Sequence, residues 1–331
     1  MRDTTEPRMH ARIEPPSEGD RLITANIGPD GELVALWSTP EASAALTARR
    51  TGPDGAVFPL ARPEQPTAAR LTRQTRRTPR TRGIEAMVDI RDLDLAHCQV
   101  QPLPGDRFLV VGARCEWTPD GAEPNARVID STGQVVAEAV FGDGIEHVAT
   151  TPTGQTWVGY FDEGVFGNLG WGDPDLGGPE PVGVSGLVRF DERLQLAWEY
   201  PGSTGFGYIY DCYALNVDDE SCWACFYDGF PVVRIADDAV SGWTNKASGV
   251  RAVVTDGLRC ALVGGYGADR DRVVTGLLTD RGRLDVRGTT RLALPGGPAA
   301  TGRYTVTGRG DVLHVLTGTA HLRLDLDQLF A

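Results

Sequence analysis

The sequence predicts an all-β fold built from repeated four-stranded units, and three observations carry that expectation. A tight turn centred on glycine or an acidic pair recurs at Gly31, Gly105, Gly154, Asp219, Gly257 and Gly310, and each leads straight into a short apolar run. Most units carry a second turn further on, at Gly55, Gly133, Arg193 and Gly282, which again opens an apolar or alternating run. The composition agrees: 41 Gly, 22 Pro and 41% hydrophobic residues in 331 positions suit many short strands and turns, and no long stretch has helical periodicity.

Two hairpin turns per unit define four strands. In the third unit, the run HVATT before Gly154 is the first strand and WVGYF after it the second; the third and fourth flank the turn at Arg193. The second strands are apolar on both faces, so each unit has to be sandwiched between neighbours. That is the arrangement of a β-propeller blade. Six blades are expected over residues 21–331, with seven left open by uneven spacing, and two insertions at about 61–85 and 162–184 account for most of the unevenness. Residues 1–20, rich in Pro and charge, read as a flexible tail. The final run HLRLDLDQLF alternates Leu322, Leu324 and Leu326 with Arg323, Asp325 and Asp327, as a strand on the outer edge of the last blade would. A strand near residues 22–27 is expected to pair with that blade and remove its open edge.

A net charge of -13 argues against general affinity for nucleic acid or anionic membrane. The exception is the segment 70–82, with Arg70, Arg73, Arg76, Arg77, Arg80 and Arg82 and no acid, the chain's only basic patch. The N-terminal sequence has no apolar core of the signal-peptide kind, so a cytoplasmic protein is expected. The cysteines Cys98, Cys115, Cys212, Cys222, Cys225 and Cys260 then read as buried thiols. Cys222 and Cys225 form a CxxC, but on an extended strand they point to opposite faces and do not clasp one ion.

Three constellations are candidates for function. Trp157-Val-Gly-Tyr-Phe-Asp162 and Trp223-Ala-Cys-Phe-Tyr-Asp228 each place an acid at the end of a second strand, followed by glycine. The 162–184 segment holds five acids (Asp162, Glu163, Asp173, Asp175, Glu180), no base, and the aromatics Phe166 and Trp171. A long loop of this kind in a compact fold is commonly functional, with Trp171 stacking on a ligand and carboxylates binding a cation or amine. Asp162, Glu163, Trp171 and Asp228 are the expected ligand contacts, on the face carrying that loop. The third constellation is His97, Glu146, His147 and Asp211, at the starts of first strands; these residue types bind a divalent metal such as calcium or zinc, or act as acid and base. Satisfied structural polar residues are the competing reading for all three. Nucleophile elbows, phosphate loops and dinucleotide fingerprints are missing; GVSGL around Ser185 lacks the spacing.

The repeated turn-and-strand units resemble the bacterial β-propeller superfamily, including its NHL-type and gluconolactonase-type six-bladed members, across residues 21–331. The resemblance implies the architecture and no one activity, since WD40, Kelch and gluconolactonase signatures are not present in register. The expected role is binding of a protein or small-molecule ligand without a cofactor. The alternative is a metal-dependent hydrolase or lactonase at the channel mouth.

Overall fold

The computed structural model describes residues 4–52, 55–78, 81–294 and 304–331. Among the described residues it contains six main sheets, five of four antiparallel strands and one of five that includes a short parallel strand, and the fold is a six-bladed β-propeller. Contacts divide the chain into two compact units. The first, Glu14–Arg77 with Gly83–Tyr200, holds blades 1 to 3; the second holds blades 4 to 6 in Pro201–Ala331, together with Met1–Ile13 and Thr78–Arg82.

In the first unit, blade 1 comprises Arg21–Ile27, Leu33–Ser38, Thr67–Thr78 and Thr81–Leu93. Blade 2 comprises Cys98–Leu103, Arg107–Gly112, Ala126–Ile129 and Val135–Ala139; blade 3, Ile145–Thr150, Thr156–Tyr160, Leu187–Phe190 and Leu196–Glu199. The second strands are buried along their length, and in blade 2 this is because alternate residues serve different neighbours. In blade 2, Phe108 and Val110 enter the core shared with Leu36, Leu71 and Ile90 of blade 1, whereas Leu109 and Val111 enter the core shared with Val148, Val158 and Phe190 of blade 3. Outer strands have no such duty, and Val135–Ala139 is largely exposed.

The second unit repeats this logic. Blade 4 comprises Asp211–Asp218, Ser221–Tyr227, Val232–Ala236 and Ala239–Trp243, and blade 5 comprises Val250–Thr255, Arg259–Gly264, Arg272–Thr279 and Arg283–Leu292. Cys260 and Leu262 face the core with Trp223 and Val232, while Ala261 and Val263 face Leu313 and Val315 of blade 6. The buried Asn216 joins three sheets: its Nδ2 donates to the carbonyls of Val253 (2.9 Å) and Gly310 (2.8 Å), and its Oδ1 accepts from Gly310 N–H (2.8 Å).

Blade 6 departs from expectation. Its strands Tyr304–Arg309, Val312–Thr317 and Ala320–Asp325 are completed by Arg8–Arg12, which pairs antiparallel with Ala320–Asp325. The 320–325 strand is therefore internal, not an outer edge, and residues 22–27 do not close the last blade but form the first strand of blade 1. Residues 1–20 are not simply a tail, since Thr4–Thr5 also adds to blade 5, parallel to Arg283–Leu292. The physical reason is the open edge itself: ladder donors and acceptors on Ala320–Asp325 take up the short alternating strand RMHAR, whose Ala11 is buried. The expected insertion at 61–85 is largely the paired third and fourth strands of blade 1. Within it, Arg70 pairs with Asp20 and Asp89, and Arg73 with Asp106; the side chains of Arg76, Arg77, Arg80 and Arg82 lie outside the described residues. All six cysteines are buried, as expected. No helix among the described residues is long and apolar enough to cross a membrane.

Candidate functional site

The site in the first unit lies at the end of the blades where second strands finish. After Arg107–Gly112, the chain enters Ala113-Arg114-Cys115 and then a small hairpin of Trp117–Thr118 with Gly121–Ala122. The 162–184 segment packs on this hairpin: Trp117 N–H donates to Leu169 C=O at 2.9 Å, and Gly170 comes so close that a Cβ would sit 2.2 Å from Trp117 O. Gly170 also has φ +88, so a side chain is excluded there both by contact and by conformation.

Beneath these loops is an ion-pair system. The buried Arg114 donates from Nε and Nη2 to the two oxygens of the buried Asp143, each at 2.8 Å, and Asp143 also accepts Cys115 N–H at 2.9 Å. Glu163 Oε2 makes a close ion pair with Arg114 Nη2 at 2.6 Å, at an angle outside the hydrogen-bonding range. Burial pushes the Asp143 carboxyl up, and the Arg114 guanidinium opposes that. Nearby, Arg62 pairs with Asp94 and with Glu123 (2.6 Å) and donates to Pro124 O (3.0 Å), while Arg127 pairs with the same Asp94. Asn125 fixes the floor by donating to Gly112 O and Gly142 O and accepting Phe141 N–H, each at 2.8 Å.

These groups border a cleft of 390 Å³ whose lining includes Arg62, Arg114, Cys115, Glu116, Glu123 and Asn125. Cys115 is not a nucleophile in this setting: burial, with the carboxylates Asp143, Glu123 and Glu116, pushes its thiol up to about 12, against the pull of Arg62.

The expected site residues divide. Glu163 belongs to the charged system, through Arg114. Asp162 opens the short helix Asp162–Phe166, is exposed, and accepts Glu163 N–H on Oδ1 at 2.8 Å. Trp171 does not stand exposed to stack on a ligand. It is only 6% accessible, and its Nε1 donates to Cys115 O at 2.8 Å, so it anchors the loop against the cleft wall. Phe166 is the aromatic of this segment that faces solvent, at 65%. Asp228 lies in the second unit, exposed, just past Ser221–Tyr227.

The third constellation is divided between the units, with His97, Glu146 and His147 in the first and Asp211 in the second. Among the described residues no group of three His, Cys, Asp or Glu side chains could hold a metal ion. His97 stands in the left-handed region (φ 49), and its Nε2 lies 2.8 Å from Ala48 O; a carbonyl only accepts, so Nε2 carries the proton. Burial lowers its pKa, opposed by that hydrogen bond. Glu146 sits at a bulge and offers its backbone carbonyl to Gln99, and His147 Nε2 is buried without a hydrogen-bond partner among the described residues. Asp211 pairs across the ladder with Tyr227.

Sequence reasoning missed Arg62, Arg114 and Asp143. A usable signal existed for Arg114: two residues past the second strand stands Arg114 in blade 2, Asp162 in blade 3 and Tyr266 in blade 5. Reading one blade position across all repeats, not only the two Trp-containing ones, reaches it.

No family model matches the chain, and no curated protein matches it in sequence. Among solved structures, the chain is distantly similar to AztD from Citrobacter koseri (11% identity, TM-score 0.41, 91% of this chain and 82% of that one). It is also distantly similar to the extracellular domain of a putative one component system, BT4673, from B. thetaiotaomicron (10%, 0.45, 98% of this chain and 42% of that one). A functionally unknown protein from Desulfotomaculum acetoxidans DSM 771 is a third (9%, 0.43, 87% and 90%).

Proposed function

We propose that the chain is a ligand-binding β-propeller whose site is the cleft beside the 162–184 loop. The observation that carries this reading is the 390 Å³ cleft itself, bordered by arginines that carboxylates already hold in place. Its volume is within the range of about 300–1,000 Å³ that suits small ligands. Because Arg62 and Arg114 spend their donors on Asp94, Glu123, Pro124 and Asp143, they shape the wall and do not capture an anion. Glu116 and Glu123 are exposed carboxylates of the lining, so the geometry favours a small polar molecule rich in hydrogen-bond donors, a polyol or an amine.

The test is retention. Small molecules released from the purified full chain on denaturation are identified by mass spectrometry, and a polyol and amine panel is screened by thermal shift. A species retained by the wild type and lost from the Glu116→Ala, Glu123→Ala double variant is the expected result. Equal retention by both proteins, or no stabilisation across the panel, overturns the reading. A protein partner on the same face is distinguished by Phe166→Ala, which removes an exposed ring outside the cleft lining and leaves small-molecule retention intact.

A further inference from the structure

The second unit carries, at the corresponding end of its strands, a surface of different chemistry. Tyr208 and Tyr210 precede the inner strand Asp211–Asp218, Tyr227 lies opposite Asp211 in the ladder, and Tyr266 stands just past Arg259–Gly264. The rings of Tyr213, Tyr227 and Tyr266 form a connected set around Phe230. Tyr213, Tyr227 and Tyr266 each meet Phe230 edge-on, with centroids 5.0, 6.1 and 6.2 Å away, and Tyr266 OH donates to Tyr213 OH at 2.9 Å. Tyr208 stacks on Tyr210, whose N–H donates to Tyr227 O at 3.1 Å.

Phe230 is buried and held at φ 51, a backbone conformation that costs a bulky residue free energy, with Asn245 Nδ2 bound to its carbonyl. Two of the rings against it remain in solvent, Tyr266 at 53% and Tyr227 at 48%, and Tyr208, stacked on Tyr210, is 64% accessible. A surface this rich in large rings on a strongly acidic protein marks an interaction site rather than scattered exposure.

We propose that this tyrosine platform docks an arginine-bearing peptide segment. Three features select that occupant. The exposed rings are tyrosines, whose π faces attract cations. The Asp211 carboxylate acts electrostatically on Tyr213, exposed Asp228 follows Tyr227 in the chain, and the chain as a whole carries -13, which steers a basic partner toward the platform. Arg251 of this unit is not a competitor for the ring faces, since it donates to Tyr304 OH and Arg270 O. A guanidinium fits better than an ammonium because it is planar, stacks on a ring and pairs with carboxylates bidentately. This unit already uses that geometry in its own packing, with Arg251 and Arg270 over the Tyr304 ring at 5.1 and 5.3 Å and Arg234 over Trp223 at 5.6 Å.

The experiment titrates the full chain with a short dye-labelled peptide of alternating Arg and Gly, read by fluorescence anisotropy. Matched peptides carry citrulline or lysine in place of Arg, and a proline-rich peptide and neutral oligosaccharides complete the set. The Arg peptide is expected to bind, the citrulline peptide not to, and the lysine peptide to bind more weakly. Each of Tyr227→Ala and Tyr266→Ala is expected to weaken binding about five- to tenfold, with Tyr266→Phe close to wild type because the π face remains. Asp228→Asn weakens it by a smaller factor, whereas Asp175→Asn and Asp280→Asn, exposed acids elsewhere, leave it unchanged.

Unchanged affinity in the Tyr227→Ala, Tyr266→Ala double variant overturns the proposal. So does equal loss in the Asp175→Asn and Asp280→Asn controls, which would mean diffuse attraction to an acidic chain. Binding of the citrulline peptide, the proline-rich peptide or an oligosaccharide with the Arg peptide's affinity overturns the choice of ligand. A circular-dichroism melting curve confirms that each variant is folded.

Discussion

The two units share a blade plan and differ at the end of their second strands. The first places charge there: Arg114 buried between Asp143 and Glu163, and Arg62 and Arg127 converging on Asp94. The second places rings there: Tyr213, Tyr227 and Tyr266 around Phe230. Inside the blades the two units are alike, since the second strand of the middle blade in each, blade 2 and blade 5, sends alternate apolar residues to opposite neighbours. The contrast teaches that blade packing constrains only residues inside the ladder. Two positions beyond it the chain is released from that constraint, and arginine, aspartate and tyrosine all occur.

The comparison breaks most severely at Arg114. Arg114→Ala leaves Asp143 buried without its guanidinium, and removal of one partner of a buried pair costs about 3–5 kcal/mol. A fall of that size in urea-unfolding stability is expected. A loss within error of zero would mean that water replaces the guanidinium and that this end of the first unit is open.

Next is Asn216, whose three hydrogen bonds bind the sheets of the second unit. Asn216→Ala strands buried backbone groups of Val253 and Gly310, with an expected loss of about 2–3 kcal/mol. The same measurement on Gln101→Ala sharpens the contrast, because Gln101 bridges blades 2 and 3 through Val148 and Thr150 in the corresponding inner strand of the first unit. Similar losses show that inner strands are tied alike in both units.

A smaller effect is expected from pH. The His97 pKa is lowered from 6.5, first by burial, so the folded protein favours the neutral ring. Its contribution to stability is present above pH 6.5 and is lost as pH falls through 6.5 toward the lower folded value, because the unfolded chain takes up the proton first. His97→Asn, which tolerates the left-handed backbone, should flatten the decline in melting temperature below pH 6.5. An unaltered decline assigns it to other groups.

The smallest effect is at Phe166, where replacement by Ala at an exposed ring should shift stability by no more than about 0.5 kcal/mol. A large shift would make that ring part of the fold and remove it from any binding surface.

The blade plan was legible in the sequence because repetition and burial on both faces leave a periodic trace. Gly31, Gly105, Gly154 and Gly257 all stand at positive φ in the turns where they were expected. The strand that completes blade 6 was not legible: RMHAR has a single buried position, Ala11, and its pairing with residues 320–323 spans nearly the whole chain. Burial of Trp171 was hidden for a related reason, since its partner, the Cys115 carbonyl, comes from a different blade and backbone carbonyls have no sequence signature. Arg62 was not found because its partners Asp94 and Glu123 lie 32 and 61 positions along the chain.

Hydrogen exchange on the full chain, with and without the panel compound that stabilises it most, tests the placement of function most directly. The first unit has a second cleft of 240 Å³ at the other end of its strands, lined by Asp30, Glu32, Arg73 and Asp106, so the two ends give distinct outcomes. The account predicts slower exchange at residues 113–125 and 161–172. Slowing confined to residues 29–32, 102–106 and 151–152 would contradict it.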